Sequence, residues 1–596
     1  MLFIEVYIYN GLNKKCIKKK KVRIIRKNNK IQRRGFFMKK ENKDKGITLV
    51  ALVITIIILL ILATISIQAL TNTGLFQKAN EAKEKTKNAT ENQATILNEY
   101  EDELNKYISG NVKTLQADGS WNSSKKVNSP QLMEGMTGIY WDESGKEVEV
   151  NVDNQDNWYD YSAQKWANAV TKDSNGNITG YWVWIPRYAY KIEKNRYTNT
   201  VGKISVKFLQ GTTNKDESNA EISTAYPETT GATMSAYVVH PSFINGTLNH
   251  YMNGEWYKEI SGYWVAKYPA GFQANTITNN NGTLSTTISN SSDTVVYSNK
   301  NYTSYHANMT TNALSQNLTS SGYASQKLSY PVFKPLTYAY NNISTGDAYT
   351  ISKEIASASS FYGLNSTKTD SHQMKNSEWG AVAYLTQSSY GRNGTEISLN
   401  NYYTTESSPW RTAITGMCID GTSGSKSTTL GNAYNTTVGV KGSSTANVTG
   451  IYDLNGCVWE RTAAYISNGN ASLSSYGKSY ANTTANANGY QTLSTKWATV
   501  YPYNSSSDSY TNNYSVYSGK KSTTYGFGDA VLETSTTGSG SPSWNGDCSD
   551  FPGPSSPFFG RGGCYGDTSL TGLFAFDDTI GGPYSDAGFR SVIGIK

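Results

Sequence analysis

Hydrophobic and polar positions divide the chain into four regimes. Residues 1–45 are basic and carry no period. Residues 47–70 are 24 consecutive uncharged, mostly apolar positions. As a helix rising 1.5 Å per residue they extend about 36 Å, enough to cross a bilayer with some tilt. Residues 71–110 then lack proline and alternate Lys with Glu, while Ile96, Leu97, Tyr100, Leu104, Tyr107 and Ile108 fall on one helical face. Ser109-Gly110 is a stop signal for that helix. From residue 111 the period shortens to two. Residues 180–192 and 262–269 set aromatics on alternate positions between Gly/Asn/Ser turns, a strand pattern. The Thr/Ser/Asn-rich stretch 274–325 predicts long loops without regular structure. No tandem repeat marks a solenoid or propeller.

Charge changes the picture once it is located. The net +8 of the 596-residue chain comes from residues 1–45, which hold sixteen Lys/Arg and three Asp/Glu. The remaining 38 basic and 43 acidic residues leave the rest at about −5, so nucleic-acid binding by the large C-terminal region is not expected. Only 17% of residues are charged, whereas Gly (52) and Tyr (44) are abundant. With 13 Trp as well, this composition suits a packed, loop-rich surface protein rather than a disordered tract. The five cysteines (Cys16, Cys418, Cys457, Cys548, Cys564) and four scattered histidines show no zinc-ligand spacing. Disulfides beyond Cys16 number two at most. Cys548 and Cys564 either pair or stay free.

The order of elements at the N-terminus has a family likeness. A short Lys-rich leader, Met38 to Lys45, precedes Gly46-Ile47-Thr48-Leu49-Val50 and the apolar run. This resembles type IV prepilins and type II secretion pseudopilins. Met38 reads as the true start, with 1–37 an upstream extension or a basic cytoplasmic tail. The resemblance implies cleavage between Gly46 and Ile47 by a prepilin peptidase, methylation of Ile47, and possible partners among other pilin subunits. Crowded Lys/Arg on the N-terminal side places that side in the cytoplasm. One position departs from the family, whose fifth mature residue is usually glutamate. Here it is Ala51, which favours a minor or membrane-parked subunit. An uncleaved signal anchor is the alternative.

Four further blocks occur in a fixed order: Glu378-Trp379 opening a helix; Gly450, Tyr452, Asp453, Trp459 and Glu460; Arg561-Gly562-Gly563; and Gly588-Phe589-Arg590. Together they resemble the formylglycine-generating-enzyme-like (sulfatase-modifying factor) family, a branch of the C-type lectin fold, over about residues 180–596. On physical grounds the aromatics are core residues, and the charged groups are hydrogen-bonded struts between loops. Catalytic members use copper and two closely spaced cysteines after the Arg-Gly-Gly turn. Here Cys564 stands in the turn's serine position and no cysteine follows. Cys457 replaces an asparagine and Arg461 the second tryptophan of their block. Converging soft ligands are missing, so no enzyme activity and no bound metal are expected.

Residues 545–595 contain no Lys, Glu, Gln, His, Met or Trp. That exclusion resembles the variable region of C-type-lectin-fold proteins diversified by retroelements. A Gly/Ser-biased loop region also produces it. In either case aromatic and small polar residues on scaffolded loops resemble a paratope. Asp547, Asp550, Phe551, Tyr565, Asp567, Phe576, Asp577, Asp578, Tyr584 and Asp586 are the expected ligand contacts. These Asp and Asn residues could bind Ca²⁺, as in sugar-binding lectins, although no spaced cluster requires it.

The sequence therefore predicts an α+β protein. Residues 1–46 are a basic leader, 47–70 a transmembrane helix, 71–110 an amphipathic stalk helix, and 111–596 a large loop-rich C-type-lectin-like head, with its binding region at 544–596. The expected role is a single-pass, surface-displayed adhesin for a protein or glycan ligand. A structural minor pseudopilin of a secretion, pilus or DNA-uptake system is the main alternative, and a degenerate oxidase a remote one.

Overall fold

The computed structural model describes residues 53–57, 114–194, 202–227, 233–244, 258–271, 330–403, 413–477, 480–488, 497–518, 527–540 and 543–596, with short pieces at 229–230, 256, 276–278, 284–285 and 294–296. The chain divides into two units, residues 1–112 and 113–596. In the first, residues 53–57 are helical, and Val53, Ile56 and Ile57 are exposed. Gly46, Ile47, most of the apolar run and the expected stalk helix lie outside the described residues. Among the described residues no helix is long and apolar enough to cross a membrane.

The second unit is α+β and built mainly of strands. Ten of its strands account for two three- to seven-stranded sheets: β1 (Met136–Trp141), β2 (Glu147–Glu149), β3 (Asn168–Lys172), β4 (Ile178–Pro186), β5 (Tyr188–Lys194), β6 (Lys203–Phe208), β7 (Gly262–Ala266), β8 (Thr369–Gln373) and, late in the chain, Ser591–Ile595, with the short strand Val238–Val239. The larger sheet is antiparallel in the order β8, Ser591–Ile595, β7, β4, β3, β1, β2. Every residue of β7 is buried, so the strand reads as continuous apolar sequence rather than a one-sided alternation. Trp182, Trp184 and Trp264 fill this layer, the last two with ring centroids 5.3 Å apart.

The strand pattern at 180–192 resolves into two strands. β4 ends at Pro186, and β5 leaves to form a separate three-stranded sheet with β6 and Val238–Val239. Arg187 is the corner. Its guanidinium is buried, donates to the carbonyls of Thr213 (2.9 Å) and Phe243 (2.7 Å), and pairs with Glu259 at 2.6 Å. A period-two count cannot see such a corner, because both halves keep the alternation. Within 274–325, expected as loop, Thr276–Thr278 pairs with both Leu284–Ser285 and Thr294–Val296.

A third sheet, of five strands, contains β9 (Trp459–Ile466), β10 (Thr499–Tyr501), β11 (Phe558–Gly562), β12 (Gly572–Thr579) and β13 (Ala587–Phe589), and the chain ends its strands with β14 (Ser591–Ile595) in the larger sheet. Its order is β10, β9, β11, β12, with β13 parallel to β9. Helices α1 (Thr345–Glu354) and α2 (Asn376–Gln387) pack within this unit. Glu378, the third residue of α2, starts the helix by reaching back to accept from the Lys375 N–H at 2.9 Å. Its other oxygen holds buried His372 (2.8 Å) and Lys375 (3.1 Å).

Only Arg590 separates β13 from β14, and so one sheet from the other. Its guanidinium takes the Glu460 carboxylate side-on, through Nε (2.8 Å) and Nη2 (2.5 Å). It also donates to the carbonyls of Ala266 and Tyr452, each at 2.7 Å. Both partners are buried. Arg590→Met is expected to destabilise the protein by about 3–5 kcal/mol, because it strands the Glu460 charge. Adding Glu460→Gln should recover part of that loss. Chemical denaturation of the single and double variants measures both effects.

Candidate functional site at the C-terminal loops

Three loops border the strands of the five-stranded sheet: 543–557 before β11, 563–571 between β11 and β12, and 580–586 between β12 and β13. Their footing is dense. Trp379 of α2 donates from Nε1 to the Leu573 carbonyl at 2.9 Å. The Arg561 guanidinium lies 5.5 Å from the Trp379 ring and 5.6 Å from that of Phe576, and bonds the carbonyls of Asp529 and Ala530. Gly562 and Gly563 turn the chain with φ of 82° and 77°, and a Cβ at Gly563 would fall 2.4 Å from the Thr571 methyl. Tyr452 stacks on Tyr268 at 5.2 Å, while Trp459 is half-buried. Asp453 accepts from Asn400 Nδ2 and the Gly416 N–H, each at 2.7 Å, and burial pushes its carboxyl up to about 7. Gly450 packs so closely that a Cβ would lie 2.5 Å from Thr445 Oγ1. Gly588 and Phe589 are buried in β13.

Three of the expected contacts belong to this footing rather than to the surface. Asp547 is buried, and its Oδ2 accepts from the Phe574 N–H at 2.9 Å. Phe551 and Phe576 are wholly buried, in an aromatic cluster with Tyr501, Tyr517 and Phe559. Such positions do not touch a ligand. Sequence alone did not separate them from their neighbours because loop and strand residues here draw on the same few amino-acid types.

The other seven reach the surface, partly or fully. They fall in two groups. Asp550, Asp577 and Asp578 gather beside Cys548. One sulfur and two carboxylate oxygens from Cys548, Asp550 and Asp577 lie within 4.8 Å of one another. Burial and then the charges of Asp578 and Asp550 push the Asp577 carboxyl up to about 7. Tyr510, opening α3 (Tyr510–Ser518), borders this group, and its phenol is pushed up chiefly by Asp578. Nothing in the sequence marked Tyr510 among so many tyrosines. A hard cation such as Ca²⁺ takes about six to eight oxygen ligands. The Cys548 thiol is not one of them, and burial pushes it up, so it stays protonated near neutral pH.

The second group holds Tyr565, Asp567, Tyr584 and Asp586. Tyr565 stacks on Tyr403 with centroids 5.7 Å apart, and Asp567 Oδ2 accepts from the Cys564 N–H at 2.9 Å. Asp567 acts electrostatically on both Asp577 and Asp586, which links the two groups through charge. Beneath Tyr584 lies buried Arg461, its guanidinium 5.6 Å from the ring centroid. The sequence marked Arg461 only as a departure from a family block. The cysteines at 418, 457, 548 and 564 are free thiols and buried. No protein-family model matches the chain, and a search of characterised proteins found no match to its sequence.

Asp577 yields a pH-dependent prediction. Its folded carboxyl titrates near 7 and its unfolded one near the ordinary 3.8. The folded state therefore holds the proton more tightly, so the destabilisation is absent below the lower value and complete above the higher. Asp577→Asn should raise the melting temperature at pH 8 by roughly a degree or two and leave it unchanged near pH 3.5. Thermal melts at the two pH values check this.

Proposed function

We propose that this chain is a surface-displayed, pilin-like adhesin, anchored by residues 47–70 and binding a protein or glycan ligand through a C-type-lectin-like head. A prepilin peptidase would cut between Gly46 and Ile47, and other pilin subunits would be its partners if it enters a filament. The observation that carries the reading is the division within 543–590. Asp550, Tyr565, Asp567, Asp577, Asp578, Tyr584 and Asp586 reach solvent, while Arg561, Phe576, Phe589 and Arg590 are locked below them. Adaptable polar and aromatic groups on a rigid footing are the physical makeup of a recognition surface. The order of basic leader, uncharged run and Lys/Glu-rich segment supports membrane display. The reading assigns the chain no catalysis, in keeping with thiols that are buried and shifted up.

Two measurements test it. N-terminal sequencing and intact mass of protein from its native membrane should find a chain beginning at methylated Ile47. A retained Lys-rich leader would demote 47–70 to a signal anchor. Alanine substitution of Asp550, Asp578, Tyr565 and Tyr584 together should abolish adhesion of displaying cells and leave the fold intact. Undiminished adhesion would favour a structural pilin.

A further inference from the structure

Two buried arginines, one on β9 and one just after its neighbour β13, use the same chemistry differently. Arg590 presents its Nε–Nη2 edge to the Glu460 carboxylate and forms a side-on fork. Arg461, the next residue along β9 from Glu460, donates from Nη1 to the Ile343 carbonyl. Its own Nε and Nη2 have no hydrogen-bond partner among the described residues, although the side chain is 1% exposed. A buried guanidinium with that edge unpaired is costly, since ionised groups out of water are normally matched donor for donor.

What surrounds the edge also has open valences. Tyr584 covers the guanidinium with a ring that is 44% exposed, and its hydroxyl bonds no described group. Asp586, partly exposed, acts on Arg461 through its charge, yet its carboxylate makes no hydrogen bond to another described side chain. The backbone between them is fixed. The Tyr584 carbonyl accepts from the Asn342 N–H (2.8 Å), the Ser585 carbonyl from Asn341 Nδ2 (2.5 Å), and the Asp586 carbonyl from the Trp459 N–H (2.8 Å). Uncovering Arg461 therefore needs a side-chain rotation of Tyr584, not a loop movement.

We propose that Arg461, Tyr584 and Asp586 form a subsite for an acidic sugar, with the sugar carboxylate forked on Arg461 Nε and Nη2. A planar carboxylate matches that edge as Glu460 matches Arg590. Asp586 accepts from the sugar's hydroxyls, and the turned Tyr584 ring packs on its C–H face. One ligand class thus supplies all three missing partners: an anion, hydroxyl donors and a flat apolar face. An acidic peptide would supply the anion and single donors, without the array of hydroxyls on a flat C–H face that a sugar ring presents. The subsite names a ligand class for the recognition surface proposed above and rests on that reading.

The test is calorimetric titration of the purified full chain with sodium glucuronate, against glucose, sodium acetate and an acetylated, amidated glutamate peptide. Glucuronate is expected to bind at least about tenfold more tightly than the other three, since only it engages all the groups. Arg461→Lys, which keeps the charge and loses the fork, should weaken glucuronate about tenfold or more. Tyr584→Ala should weaken it several-fold. Thermal melts establish that each variant is folded, and if Arg461→Lys is not, exposed Tyr584→Ala carries the test alone. Glucuronate binding no better than glucose overturns the proposal. So does equal binding of acetate or the peptide, which would mean an unspecific anion site or a peptide site. Unchanged affinity in folded variants overturns it too. Loss of adhesion in the loop-alanine variant without any glucuronate binding would sink the sugar assignment and leave the adhesin reading standing. Glucuronate binding without adhesion would do the reverse.

Discussion

The Arg590 guanidinium holds the unit of residues 113–596 together at its most demanding point. The chain leaves one sheet and enters another across that single residue, and the side chain bonds to both: Glu460 on β9 and the Ala266 carbonyl on β7. A buried charge at such a crossing tolerates little displacement, because each donor it loses stays unpaid in a medium without water. The position of β13 beside β9, and hence of the 580–586 loop, follows from this fork. So does the register of β14 against β7 and β8.

Much of the footing could be read from the sequence, and the reason is chemical. Charged residues embedded in aromatic and glycine-rich blocks have to be paired if those blocks are buried. Asp453, Glu460, Arg561 and Arg590 stood out on that ground, and all are buried and hydrogen-bonded. The partners were not legible. Arg561 meets Asp529 and Ala530 through their backbone carbonyls, which no residue type advertises. Asp529 and Glu533 are buried carboxylates served by tyrosine hydroxyls, including Tyr501 (2.8 Å) and Tyr190 (2.7 Å), and part of the chain's tyrosine excess goes into these internal bonds. The candidate site was legible in outline only. Asp550, Asp577 and Asp578 converge, but Asp547, Phe551 and Phe576 have the same residue types and face inward. Side-chain direction in an irregular loop is set by contacts remote in sequence, such as Phe551 against Tyr501 and Tyr517.

This inward–outward division bears on any variation of the region. Gly572 approaches Asp547 so closely that a Cβ there would fall 2.2 Å from its carboxylate, and Gly563 is as confined by Thr571. Positions of this kind resist substitution whatever the neighbouring loops do. Ser569, exposed at the tip of the 563–571 loop, carries no such restriction. Neighbours in sequence therefore differ sharply in how far they can change without cost to the fold.

The place of β14 within the larger sheet sets an order of events. It lies between β8 and β7, with partners on both edges, although it is made more than 200 residues after β8. Until residues 591–595 have left the ribosome, β7 and β8 have no strand to join them, and the sheet cannot close. A nascent chain shorter than this stays open along that seam. Until then the edges of β7 and β8 that face this seam stay unpaired, open to wrong partners that a complete chain excludes.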